Sequence, residues 1–155
     1  MPEKRSQNGK FKVAWQGSLN PLTDKNKQVC LIENGKSVLW CEEFEIVDTC
    51  LVSNNGTVVA LVHNSLPARD IHNRPGFLVV YSLIIINKDQ DKFQLEFDTR
   101  EEIMALALSQ DGAYLIYNLQ RYRPDDYQLV LYNVNSNKEE WRYKYSRKQV
   151  IHELV

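Results

Sequence analysis

Short β-branched and aromatic runs, separated by Gly, Asn, Asp and Pro, dominate the chain, and apolar spacing of the helical kind is nearly absent. The pattern predicts strands throughout. A tetrad recurs three times: Ser6-Gln7-Asn8-Gly9, Ser53-Asn54-Asn55-Gly56 and Ser109-Gln110-Asp111-Gly112. Each is followed within a few residues by an apolar run: Phe11 to Trp15, Val58 to Val62, and Tyr114 to Asn118. Asn and Asp tolerate left-handed backbone and Gly adopts it freely, so each tetrad predicts a tight turn opening a strand.

The similarity extends past the turns. A second strand is predicted at Val29 to Ile32, Phe77 to Tyr81 and Gln128 to Tyr132. A third carries two aromatics four residues apart: Trp40 and Phe44, Phe93 and Phe97, Trp141 and Tyr145. An even separation puts both members on one strand face. A fourth strand, Ile46 to Val52 or Ile103 to Leu108, leads into the next tetrad. Four short antiparallel strands per unit, at a spacing of roughly 40 to 50 residues, is the sequence signature of β-propeller blades. The Ser-x-(Asn/Asp)-Gly turn resembles the turn between the first two strands of WD40-like and TolB-like propeller blades. No Gly-His pair opens a unit and no Trp-Asp pair closes one, so the likeness is looser than to true WD40 repeats.

The expected fold is therefore all-β and propeller-like, a half propeller of three four-stranded antiparallel blades, with a β-sandwich as the alternative. One domain of three units is predicted, at about 6–44 plus 149–155, 45–97 and 98–145. The first unit opens at its tetrad without an inner strand, and Val150 to Val155 is expected to fill that slot beside Phe11 to Trp15. Three blades fall short of the usual four to eight. Self-association as a homodimer is the expected remedy for the two open flanks.

Composition narrows the function. A net charge of −1 with 25% charged residues gives no nucleic-acid-grade basic surface, and no apolar run is long enough to span a bilayer. No nucleic-acid or membrane partner is expected, and the chain reads as cytoplasmic. Three cysteines make no disulfide framework. A two-residue turn at Asn34-Gly35 would set Cys30 opposite Leu39, so a Cys30–Cys41 bridge is not expected. His63 and His72, nine residues apart, match no metal-ligand spacing, and His152 reads as a strand-edge residue. No cofactor or metal is expected.

Pro21, Pro67, Pro75 and Pro124 all fall between the strand that follows the tetrad and the next strand of a unit, in the polar stretches Gly17 to Gln28, His63 to Gly76 and Gln120 to Asp126. In a propeller such loops emerge on one face. The residues expected to bind there are Arg69, Asp70, His72, Arg74, Arg121, Tyr122, Arg123 and Asp125, with Asp126 beside them. Loops on a rigid scaffold concentrate binding residues, and Arg and Tyr are enriched at interaction hot spots. The reading is a non-enzymatic interaction scaffold presenting polar loops to a protein or peptide partner. The alternative is a small-ligand or hydrolase-type site at the propeller mouth, formed on oligomerisation from His72, Asp70 and Arg69.

Overall fold

The computed structural model describes residues 2–16, 27–121 and 126–145. Among them the chain is all-β: 12 strands in three four-stranded antiparallel sheets, with no helix. Sheet 1 contains β1 (Glu3–Arg5), β2 (Phe11–Trp15), β3 (Lys27–Glu33) and β4 (Ser37–Phe44). Sheet 2 contains β5 (Ile46–Val52), β6 (Val58–Arg69), β7 (Pro75–Ile86) and β8 (Lys92–Glu96). Sheet 3 contains β9 (Glu102–Leu108), β10 (Tyr114–Gln120), β11 (Tyr127–Asn133) and β12 (Lys138–Tyr145). Each sheet is ordered as its strands run in the chain.

The three tetrads join β1 to β2, β5 to β6 and β9 to β10. Each serine hydroxyl donates to the Asn or Asp two residues on and accepts from a backbone N–H at the start of the next strand. The accepted bonds are Phe11 N at 3.0 Å, Thr57 N at 3.1 Å and Tyr114 N at 2.9 Å. Gly9, Gly56 and Gly112 all have positive φ, between 73° and 82°, as the turn requires. The turns also touch one another. Asn8 N donates to Asn54 Oδ1 at 2.9 Å, and Asn54 N to Gln110 O at 2.7 Å.

Two cores hold the sheets together. Phe11, Val13, Trp15, Leu31 and Trp40 of sheet 1 pack on Val58, Ala60, Val62, Ile84 and Ile86 of sheet 2. The alternate residues of sheet 2, including Val59, Leu61, Leu83 and Ile85, pack on Leu115, Tyr117, Leu119, Val130 and Tyr132 of sheet 3. Sheet 2 is thus buried on both faces, which is why β7 ends in the continuously buried run Ser82 to Ile86, apolar from Leu83 onward, instead of alternating. Burial pushes the Tyr117 hydroxyl up to about 12 and raises the Cys50 thiol well above its ordinary range.

Four expectations are corrected. The edge of Phe11 to Trp15 reserved for the C-terminal segment is taken by β1, with Glu3 opposite Ala14 and Arg5 opposite Lys12. Residues 149–155, with His152, lie outside the described residues. The stretch His63 to Gly76 is not a loop, because β6 and β7 continue as one ladder to Arg69 and Pro75. The aromatic pairs share a register, since Trp40, Phe93 and Trp141 stand opposite Leu31, Ile85 and Leu131. They do not share a depth: Trp40 is 4% exposed and Trp141 43%.

The fourth correction is a disulfide between Cys30 and Cys41. The β3–β4 turn has three residues, with Glu33 opposite Ser37, and Leu39 is bulged out between Val38 and Trp40. Each departure from a two-residue hairpin advances the partner of Cys30 by one position, from Leu39 to Cys41. The two Cα atoms come to lie 4.1 Å apart, the separation of a non-hydrogen-bonded cross-strand pair. Closing a loop of 11 residues restricts the unfolded chain by about 3 kcal/mol. Reduction should lower the denaturant midpoint accordingly, and a Cys30→Ser, Cys41→Ser variant that melts like the oxidised protein would show that the bridge contributes nothing.

Candidate functional site

Among the described residues the β6–β7 hairpin is the one element that leaves the sheets. β5 pairs with β6 only as far as His63, and β8 with β7 only as far as Ser82, with Phe97 N adding a bond to Tyr81 O. Beyond them six residue pairs, from Asn64↔Val80 to Arg69↔Pro75, form a two-stranded ribbon without lateral neighbours among the described residues. At about 3.3 Å per residue the ribbon extends roughly 20 Å. The prolines that suggested a loop sit in this ribbon, where both outer edges are unpaired and a missing N–H breaks no sheet ladder.

Both ribbon faces are apolar. Leu66, Leu78 and Val80 share one face, and Pro67, Phe77 and Val79 share the other. Phe77 is 66% exposed and Ile71, at the tip, is 95% exposed. A two-stranded hairpin is marginal in water by itself, and this one carries exposed apolar side chains on both faces.

The tip, Arg69 to Arg74, holds four of the residues singled out in the sequence. The Asp70 carboxylate accepts from His72 N at 2.8 Å, Arg74 N at 2.9 Å and Arg74 Nε at 2.6 Å. Arg69 Nη1 donates to Asn73 O at 2.8 Å. The Arg74 N–H, foremost, holds the Asp70 carboxyl below its usual range. Asp70, Arg69 and Arg74 are therefore committed to closing the turn, and the exposed apolar chain of Ile71 is what the tip presents. Arg121 lies at the same end of the sheets, where its Nε donates to Glu101 Oε2 at 3.2 Å. Asp126 accepts at its carbonyl from Arg121 N at 3.0 Å and at its carboxylate from Gln128 Nε2 at 3.2 Å. Tyr122, Arg123 and Asp125 lie outside the described residues. The structure thus groups Arg69, Asp70, His72 and Arg74, and pairs Arg121 with Glu101 instead of with them.

At the base of the arm is a cluster the sequence did not show. His63 Nδ1 lies 2.6 Å from Asp48 Oδ2, and the His63 ring stands 5.5 Å from the Tyr81 ring. His63 is a strand residue and not a loop histidine, and its carboxylate partner comes from β5. A separation of 15 residues carries no motif, so only the pairing of β5 with β6 could reveal it. Burial, then the nearby Glu102 and Asp48 carboxylates, raise the Tyr81 hydroxyl above its ordinary value.

The opposite end of the sheets holds two open clefts. One, of about 290 Å³, lies between sheets 1 and 2 and is lined by Lys10, Phe11, Asn54, Asn87 and Lys88 among others. The other, of about 350 Å³, lies between sheets 2 and 3 beside Asn55, Phe93, Asn135 and Asn137. No group of three or more His, Cys, Asp or Glu side chains arranged to hold a metal ion occurs among the described residues.

Compared with known proteins, the chain matches no family model, and no curated protein is significantly similar to it.

Proposed function

We propose that the chain is a non-enzymatic protein-interaction module on a scaffold of the WD40-like or TolB-like propeller kind, and that the β6–β7 arm engages a protein or peptide partner. The observation that carries this reading is the projecting ribbon with Leu66, Ile71, Phe77 and Leu78 exposed. Such an arm can bind through apolar contacts on either face, and its unpaired strand edges can add a strand to a partner. Three antiparallel sheets, each opened by the same turn and stacked through apolar faces, support the propeller part of the reading.

A Phe77→Ser, Leu78→Ser variant should keep its melting temperature, because exposed positions change stability by less than about 0.5 kcal/mol each. It should no longer retain a partner that wild type retains from extract. A melting temperature lowered by many degrees would place the arm inside the protein's own core and end this reading.

A small-ligand site at the base of the arm is the second reading, favoured by the His63–Asp48 pair beside Tyr81. Binding of a small molecule that His63→Ala abolishes and Phe77→Ser leaves intact would favour it over the arm. No helix among the described residues is long and apolar enough to cross a membrane. For the compartment the proposal is cytoplasmic, and the disulfide supplies the test. Structural disulfides persist in oxidising surroundings and are rare in the cytosol, so Cys30 and Cys41 should be recovered from cells as free thiols.

A further inference from the structure

The way each sheet meets the next recurs, and it leaves two complementary halves of one interface unused. In the forward direction, an aromatic at the start of the outer strand reaches the following sheet. The Trp40 indole Nε1 donates to Asn87 O at 3.0 Å in the β7–β8 turn of sheet 2. Phe93 of sheet 2 stacks on Tyr132 of sheet 3, with ring centroids 6.2 Å apart. Trp141, in the same register, extends from the face of sheet 3 turned away from sheet 2 and stays 43% exposed. Tyr143 lies on that face too, with Leu129 and Leu131 opposite the two aromatics.

In the backward direction, the tetrad glycine of each sheet abuts the preceding sheet. A side chain at Gly56 would meet Phe11 of sheet 1 at 3.1 Å, and one at Gly112 would meet Asn55 and Ser53 of sheet 2 at 2.5 and 2.7 Å. At Gly9 nothing lies within 4 Å. Among the described residues no further sheet packs on the forward surface of sheet 3 or on the backward surface of sheet 1, where Lys12, Ala14, Cys30 and Ile32 share the outward face.

We propose that these two surfaces mate between copies: the Trp141 face of one chain packs on the outward face of sheet 1 of a second copy. The joint repeats the packing that the chain uses twice internally. Being head to tail, it must close into a ring or grow into a filament. Six sheets is the multiple of three that falls within the four to eight blades of known propellers. The closed product is therefore a dimer in which both joints are the same. In it Trp141 is buried against the β3–β4 turn of the second copy, as Trp40 is buried against β7–β8. This inference rests on the propeller part of the proposed function and is independent of the arm.

Light scattering on the full chain at micromolar concentration tests it. Wild type should have a mass of about 36 kDa, twice the chain's 18.1 kDa. Trp141→Arg and Ile32→Arg, one on each mating surface, should each give a folded species of half that mass. Phe77→Ser should remain dimeric, so failure of the arm reading leaves this result standing. A monomeric wild type overturns the proposal. So does a dimer that survives Trp141→Arg, or one lost in Trp141→Arg and kept in Ile32→Arg, which would join two sheet 3 faces instead. Should Ile32→Arg unfold, blue-shifted Trp fluorescence in wild type that reverts on dilution, and its absence in Trp141→Phe, decides the same question. Emission unaffected by dilution or by Trp141→Phe counts against burial of that indole.

Discussion

Trp40→Ala should destabilise the protein by about 3 to 5 kcal/mol, the cost of emptying a fully packed aromatic site. Trp40 fills the space between sheets 1 and 2 among Phe11, Leu31, Ile84 and Ile86. Its removal leaves a void and also strips the Asn87 carbonyl of the indole donor. For a chain of this size the melting temperature should fall by roughly 6 to 20 °C. Trp141→Ala is the matched control, with the same residue type in the same register. Measured where the chain is monomeric, it should cost less than about 1 kcal/mol, since a half-exposed side chain leaves little cavity. Equal losses at the two positions would mean that Trp141 is buried in solution, or that Trp40 is not.

The second large effect is expected at Gly112. Valine there meets two penalties, each of about 1 to 3 kcal/mol: a β-branched residue held at positive φ, and overpacking against Asn55 and Ser53. A total near 4 kcal/mol should appear as a lowered denaturant midpoint in chemical unfolding. Gly9→Val isolates the first penalty, because Gly9 shares the positive φ but has open space around it. Its cost should be only about 1 to 2 kcal/mol. A Gly112 variant no worse than the Gly9 variant would show that the tetrads do not interlock in solution.

The turns were the most legible part of this chain because their chemistry is local. Within six residues, a Ser hydroxyl, an Asn or Asp carboxamide or carboxylate and a positive-φ Gly satisfy one another, whichever sheet follows. The outer aromatics were legible as pairs on one strand face, since strand period alone puts residues four apart on the same side. The residue each stands opposite was not, because the three-residue turn and the bulge at Leu39 move Trp40 opposite Leu31. Their burial was not, because it depends on whether another sheet lies beyond.

The candidate site was legible only in outline. Arg69, Asp70, His72 and Arg74 were found as a group, and the structure places them in a hydrogen-bonded turn at the end of a ribbon instead of in a long loop. Pro67, Pro75 and Gly76 interrupt sheets in general, and they are compatible with β6 and β7 because no lateral strand pairs there among the described residues. Local composition carries no information about which neighbours are missing.

The sequence alone determined the strand content, the threefold recurrence of the turn and the positions of the outer aromatics. Each of these rests on interactions among residues close in the chain or on the two-residue period of a strand. Tertiary structure decided what no local rule could reach. A three-residue turn and one bulged residue, Leu39, brought Cys30 and Cys41 together. The pairing of β5 with β6 set Asp48 beside His63. The order of the sheets buried Trp40 and left Trp141 open, because burial belongs to the surface that arrives from elsewhere in space and not to the residue that receives it.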